Sequence, residues 1–234
     1  MAKKADGFAT KAARVLIVDD HPVVREGLSA LISGQPDLTV CGQAAGCAEA
    51  VSLADTTNPN LIIVDISLKD GNGIELIKRI KARNPSIRFL VSSMHDETVY
   101  AERALRAGAL GFLGKQESTQ KIIDAIRRVL EGKVYLSERM AQRLLHGLVA
   151  GSRERSSVEA LADRELQVFE LIGQGLNTRQ IAAQLHLSSK TVETYRGRIR
   201  DKLNIGRGSE LAHYAMQWVM QTGQEQPEAT SLES

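Results

Sequence analysis

The chain has 234 residues, room for two small domains, and its 43% hydrophobic and 25% charged content is that of an ordinary globular protein. A formal net charge of +2 is too small to argue for a nucleic-acid partner by itself, so the placement of charge must carry that argument. With no run of about 18 apolar residues, only two cysteines (Cys41, Cys47) outside any CxxC pattern, and five scattered histidines, the composition argues against a membrane-spanning helix, a disulfide framework and a zinc site.

Residues 1–13 carry basic side chains but no apolar stretch, so they are expected to be a disordered lead-in and not a secretory signal. The two thiols then fit a reducing cytoplasm, as small packing residues. From Arg14 to Leu136, short apolar runs alternate with amphipathic stretches. The runs are Val15–Val18, Thr39–Gln43, Leu61–Val64, Arg88–Val91 and Gly111–Leu113. Between and after them, Val23–Ser33, Ala48–Ala54, Ile74–Arg83, Thr98–Ala107 and Thr119–Glu131 have helical spacing, as in Ile74, Ile77 and Ile80. Gly34, Asn58-Pro59, Asn84-Pro85 and Gly108 punctuate the connections. Five alternating units predict an α/β fold, a doubly wound five-stranded parallel sheet covered on both faces by helices, over residues 14–136.

Beyond Leu136 no strand pattern recurs. Ser137 can cap a helix to Val149, within a linker over 137–158 whose end, AGSRERSSVEA, is small, polar and charged. Residues 159–220 are helical in short pieces and predict a second, smaller all-α domain. The polar tail 221–234 is expected to be disordered.

Ligands of an open parallel sheet bind outside the carboxyl ends of its strands. There the chain places Asp19 and Asp20, Asp65, Ser92 and Ser93, and Lys115, from four different strands. One Asp after a strand is ordinarily a cap or a turn residue. Three carboxylates, a hydroxyl and an ammonium converging on one edge need a different account. Clustered carboxylates repel and call for a hard cation such as Mg²⁺, beside which one carboxylate can act as nucleophile toward phosphorus.

The strings VLIVDDHP, LIIVDISLKDGNG, FLVSSMHDE and GALGFLGK resemble the response-regulator receiver domains over nearly all of residues 14–131. The resemblance implies a flavodoxin-like receiver fold in which Asp65 accepts phosphate from a sensor histidine kinase. It implies that Asp20, Asp19 (through water), Asp65 and the Ser67 carbonyl hold Mg²⁺. Ser93 and Lys115 would contact the phosphoryl group, and Phe112 would be the switch aromatic. Met94 is bulkier than the family's usual Ala or Gly, and Leu68-Lys69 replaces a frequent Met-Pro. A phosphatase would need a second acid or base two residues after Asp65, where Ser67 stands. The chain is thus expected not to be an enzyme with its own small-molecule substrate, although a receiver catalyses its own phosphotransfer and slow dephosphorylation.

In the C-terminal part, Gly175-Leu176-Asn177 stops one helix, Asn177 or Thr178 caps the next to Leu185, and His186-Leu187-Ser188 turns into a longer helix capped by Ser189. This is a helix-turn-helix candidate. Between His186 and Gly208, six basic residues (Lys190, Arg196, Arg198, Arg200, Lys202, Arg207) face two acidic ones (Glu193, Asp201). At about 100° per residue, Val192, Tyr195, Ile199 and Leu203 form the core side. Lys190, Glu193, Thr194 and Gly197 form the opposite side, with Arg196 and Arg200 on one flank and Arg198 and Lys202 on the other. With Thr191, the residues of this surface are candidate contacts to double-stranded DNA, and a bare backbone at Gly197 would allow close approach. The segment resembles the LuxR-type helix-turn-helix through Arg164-Glu165, Ile181-Ala182, Leu185, Thr191-Val192, Ile199 and Lys202-Leu203, with Ala162 in place of the usual capping Thr or Ser.

Receiver followed by LuxR-type domain is the order of the NarL/FixJ-type response regulators. That resemblance implies a cytoplasmic transcription regulator that forms a homodimer on phosphorylation and binds two DNA half-sites. The alternative is a phosphorylation-independent regulator whose receiver only dimerises.

Overall fold

A computed structural model describes residues 12–149 and 157–223, so the outer parts of the expected lead-in and tail and the middle of the expected linker lie outside the described residues. The chain divides into two compact units between Leu145 and His146.

In the first unit, β1 (Ala13–Val18), α1 (Pro22–Ser33), β2 (Leu38–Ala44), α2 (Cys47–Thr57) and β3 (Leu61–Val64) lead into a two-stranded hairpin, β4 (Ser67–Leu68) and β5 (Gly71–Asn72). Then follow α3 (Gly73–Arg83), β6 (Arg88–Ser93), α4 (Glu97–Ala107), β7 (Gly111–Gly114), α5 (Thr119–Leu130) and, at the boundary, α6 (Glu138–Val149). Five strands pair in parallel in the order β2-β1-β3-β6-β7. The order reverses between β1 and β3, which opens a crevice at the carboxyl ends of the central strands.

Strand β3 is buried throughout and β1 from Val15 to Val18, because helices cover both faces and these stretches need no polar side. Val15, Ile17, Leu61, Ile63 and Leu90 share one face, packed on Leu28 and Ile32 of α1 and Ile123, Ile126 and Val129 of α5. The intervening Leu16, Ile62, Phe89 and Val91 are equally inaccessible. All five strands and all five helices predicted for this unit are present, each within a few residues of its predicted limits. The hairpin was not predicted. It is two residues per strand, too short for a period-2 pattern to register.

The second unit contains a short 3-10 turn (Ser157–Ala160), α7 (Asp163–Gly173), α8 (Thr178–Gln184), α9 (Ser189–Leu203) and α10 (Gly208–Gly223). Helix α7 packs against α10 and α9, and α8 against α9. Gly175, at φ 84°, ends α7 in a conformation that suits glycine. The side chain of Asn177 caps α8. Ser188, one residue earlier than expected, caps α9: its Oγ accepts from the Thr191 N–H at 3.0 Å. His186 makes the turn between the two helices with φ 52°.

Candidate functional site

The polar cluster forms where the sheet's apolar run stops. After Val18 and Val64 the chain leaves β1 and β3, and the next side chains, Asp19 and Asp65, turn to the crevice while remaining almost inaccessible. Lys115, just past β7, reaches between them. Its Nζ lies 2.7 Å from Asp65 Oδ2 and 2.7 Å from Asp19 Oδ2, and its side chain is only 8% exposed. The backbone fixes this reach, since the Lys115 N–H donates to the Ser93 carbonyl at 3.0 Å.

Burial is the largest influence on Asp65 and pushes its carboxyl above the usual value, with Lys115 opposing and Asp19 adding to the rise. Burial by itself would lower the Lys115 ammonium, but Asp65 and Asp19 outweigh it and hold the group above its ordinary value. A cation locked between two buried carboxylates is the electrostatic centre of the site.

Asp20 sits beside this pair, and its Oδ1 is buried without a hydrogen-bond partner among the described residues. His21 Nδ1 approaches that oxygen at 2.8 Å without hydrogen-bond geometry, and Asp19 Oδ1 at 3.2 Å. One ligand atom each from Asp19, Asp20, His21 and Asp65 falls within 4.8 Å of the others. An unsatisfied carboxylate oxygen among hard donors fits a divalent cation such as Mg²⁺. Sequence reasoning missed His21, although its position directly after the Asp pair was the available signal.

The remaining predicted residues are near but differently engaged. Ser93 is buried at the end of β6, and its Oγ accepts from the His95 N–H at 3.2 Å. Ser67 Oγ meets His95 Nε2 at 2.8 Å, a bridge between the loops after β3 and β6 that the sequence did not foretell. The His95 ring lies 4.7 Å from that of buried Tyr100. Phe112 is buried in β7.

Two local devices hold the Asp65 loop. Gly73 opens α3 directly against it, where a Cβ would overlap the Asp65 carbonyl oxygen. At the hairpin tip, Asp70 crosses to α2 and accepts from the N–H groups of Cys47 (2.6 Å) and Ala48 (3.0 Å). That helix has no side-chain cap from its own N-cap, Gly46, so the cap comes from a residue 23 positions away from Cys47.

In the second unit, Val192 and Ile199 of α9 are fully buried and Tyr195 and Leu203 half-buried, as the helical period requires. Lys190, Glu193, Thr194 and Arg198 are exposed, while Thr191, Arg196, Gly197 and Arg200 are intermediate. Thr191 belongs partly to the Ser188 cap, its Oγ1 2.8 Å from Ser188 Oγ. Lys202, expected on a basic flank, instead pairs with Glu165 of α7 at 2.6 Å. Glu165 also accepts from the Ala162 N–H at 2.8 Å, which is the glutamate half of a capping box; the other half needs a side-chain oxygen that Ala162 lacks. Glu193 is held by Thr178, whose Oγ1 donates to Glu193 Oε1 at 2.6 Å. No heavy atom lies within 4 Å of a Cβ built at Gly197, so nothing in the described fold demands glycine there.

Residues 15–127 match the response regulator receiver domain family and residues 159–215 the luxR family of bacterial regulatory proteins. The transcriptional regulatory protein LiaR of Bacillus subtilis is 35% identical over 204 residues, covering 86% of this chain and 96% of LiaR. The DNA-binding transcriptional activator DevR/DosR of Mycobacterium tuberculosis is 33% identical over 202 residues, 86% of this chain and 93% of its own. A solved structure of two RcsB dimers bound to two parallel DNAs is similar at 25% identity, with a TM-score of 0.55 over 88% of this chain and 98% of that one. The chain therefore belongs to the response-regulator family, as a LuxR-type transcriptional regulator of the NarL/FixJ kind and not a conventional enzyme. Among the described residues no helix is long and apolar enough to cross a membrane.

Proposed function

We propose that the protein is a cytoplasmic switch in which a sensor histidine kinase phosphorylates Asp65 and the phosphorylated form binds promoter DNA as a homodimer. Residues 14–136 act as the receiver, 137–158 connect, 159–220 bind DNA, and 1–13 and 221–234 flank them. The observation that carries this reading is Lys115, held 2.7 Å from both Asp65 and Asp19, all three side chains being almost inaccessible.

An Asp65 carboxylate oxygen attacks the phosphorus of the kinase's phosphohistidine. The P–O bond forms as the P–N bond breaks, and the imidazole nitrogen leaves with the electron pair and takes a proton from water. The reaction is the chain's own phosphotransfer, and slow hydrolysis of the acyl phosphate returns it to rest. Lys115 already lies beside the acceptor and stays paired with the charge that arrives. Asp19, Asp20, Asp65 and the Ser67 carbonyl would hold Mg²⁺, which would supply positive charge to offset the phosphoryl oxygens. Ser93 gives up the His95 N–H to donate to a phosphoryl oxygen, and the Phe112 ring follows the space it leaves. The acyl phosphate carries about −1.5 to −2 charges where the carboxylate carried −1, so the site gains about one negative charge or less.

The second unit then presents α9 to the major groove, with Lys190, Thr191, Glu193, Thr194, Arg196, Gly197, Arg198 and Arg200 as the contact surface, on two half-sites related by the dimer's two-fold axis. RcsB dimers on DNA support this arrangement. The test is Asp65→Asn treated with a small phosphodonor and Mg²⁺. Wild type gains one phosphoryl group by intact mass and shows phosphodonor-dependent tightening on DNA, and the variant shows neither. Normal labelling of the variant overturns the assignment. DNA affinity unaffected by phosphodonor in wild type would leave the receiver as a dimerisation module only.

A further inference from the structure

We propose that Glu193 is a specificity-determining residue that selects cytosine at one position of each DNA half-site, and that Thr178 is its positioning residue. The inference rests on the DNA-binding reading of α9 and adds what that helix reads.

A carboxylate on a basic helix is out of place if the helix only binds phosphates, because it repels every one of them. Here it is exposed and only loosely paired. The Glu193 side chain is 59% exposed, and its nearest cation, Arg196 Nε, is 3.9 Å from Oε2, too far for a hydrogen bond. The other oxygen, Oε1, is pinned at 2.6 Å by the hydroxyl of Thr178, the first residue of α8. One acceptor atom is thereby used, and Oε2 is left at the surface at a fixed place. Pinning removes most of the rotamer freedom that an exposed glutamate would lose on binding.

The environment of Oε2 favours a base edge. Gly197, one turn further along the same face, leaves open space where its side chain would stand. Because helical side chains lean toward the N-terminus, a side chain at 197 would cover the approach to Glu193. The bare backbone instead lets the groove floor come up to the carboxylate.

An ionised carboxylate can only accept. Of the major-groove edges, guanine offers two acceptors and thymine an acceptor and a methyl group, and both are refused. Adenine pairs its amino donor with the N7 acceptor, which a single unprotonated oxygen meets with repulsion. Cytosine offers the N4 amino donor without an adjacent acceptor, and that edge matches Oε2.

The experiment is selection of randomised duplexes by the full-length chain with beryllofluoride and Mg²⁺, at one stated salt concentration, for wild type, Glu193→Gln, Glu193→Ala and Thr178→Val. Thermal melting of each variant verifies that it is folded. Wild type returns cytosine at a fixed register of each half-site, by about fivefold or more over other bases, the lower bound for a good base contact. Glu193→Gln, which can donate as well as accept, moves the preference to adenine. Glu193→Ala loses the preference at that position alone. Thr178→Val keeps the same salt dependence but weakens the cytosine preference, a change that a merely structural threonine would not produce. An unchanged consensus across the four proteins overturns the proposal and leaves Glu193 as a brace between two helices. If no folded protein enriches any sequence, the DNA-binding reading itself fails.

Discussion

Replacing Lys115 by methionine tests whether the buried ammonium holds the acidic site together. The substitution keeps an unbranched chain of similar volume and removes only the charge and its donors. At an effective dielectric of about 20, each 2.7 Å contact to Asp65 and Asp19 carries about 6 kcal/mol of attraction, most of it offset by desolvating the lysine. Removing one partner leaves the desolvation of the carboxylates without that compensation, which costs about 3–5 kcal/mol in comparable buried pairs. We expect Lys115→Met to lose about 3 kcal/mol of stability in the first unit at neutral pH without divalent ions. Burial already raises the Asp65 carboxyl, and the variant removes the lysine that opposes the rise. A group whose folded value lies above its unfolded one contributes stability below the unfolded value, which is lost as pH rises through the folded one. The deficit should therefore be smallest in acid and grow toward neutrality. Mg²⁺ should stabilise the variant more than wild type, because the cluster it would join carries one more net negative charge. Urea denaturation at several pH values, with and without Mg²⁺, measures all three. A variant as stable as wild type at neutral pH without divalent ions refutes the reasoning.

Asp70→Ala removes the cap that α2 receives from the hairpin and should cost about 1 kcal/mol by denaturant melting. Burial raises the Asp70 carboxyl, but the N–H groups of Ala48 and Cys47 outweigh it and hold it below its usual value. Its contribution is accordingly full above the unfolded value of about 3.9, and the gap between wild type and variant closes as pH falls through the lower folded value. Gly73→Ala forces a Cβ into the Asp65 carbonyl and should cost about 3 kcal/mol in melting experiments, as overpacking against backbone does. Stability equal to wild type would mean that the loop yields easily there.

The sheet was legible because its inner strands are buried on both faces and read as unbroken runs such as LIIV, bounded by turn residues. The convergence of Asp19, Asp20, Asp65 and Lys115 followed from topology, since a parallel sheet gathers the residues after its strands on one edge. What escaped reading is local geometry spread over distant positions. Asp70 looks like a turn residue until α2 is seen 22 and 23 positions away. Ser67 and His95 meet although 28 positions separate them. On α9 the helical period identified the core side, yet the identity of a charge did not reveal its partner. Lys202 turned out to face Glu165, and Glu193 to face Thr178, because α7 and α8 each place one side chain against α9.

The segment after β3 is moored on more than one side. Asp70 ties its hairpin to α2 through two backbone N–H groups, Gly73 seats the start of α3 on the Asp65 carbonyl, and Ser67 meets His95 of the loop after β6. Any displacement of the backbone at Asp65 is thereby shared with α2, α3 and the turn that carries Met94 and His95, so three elements register one event.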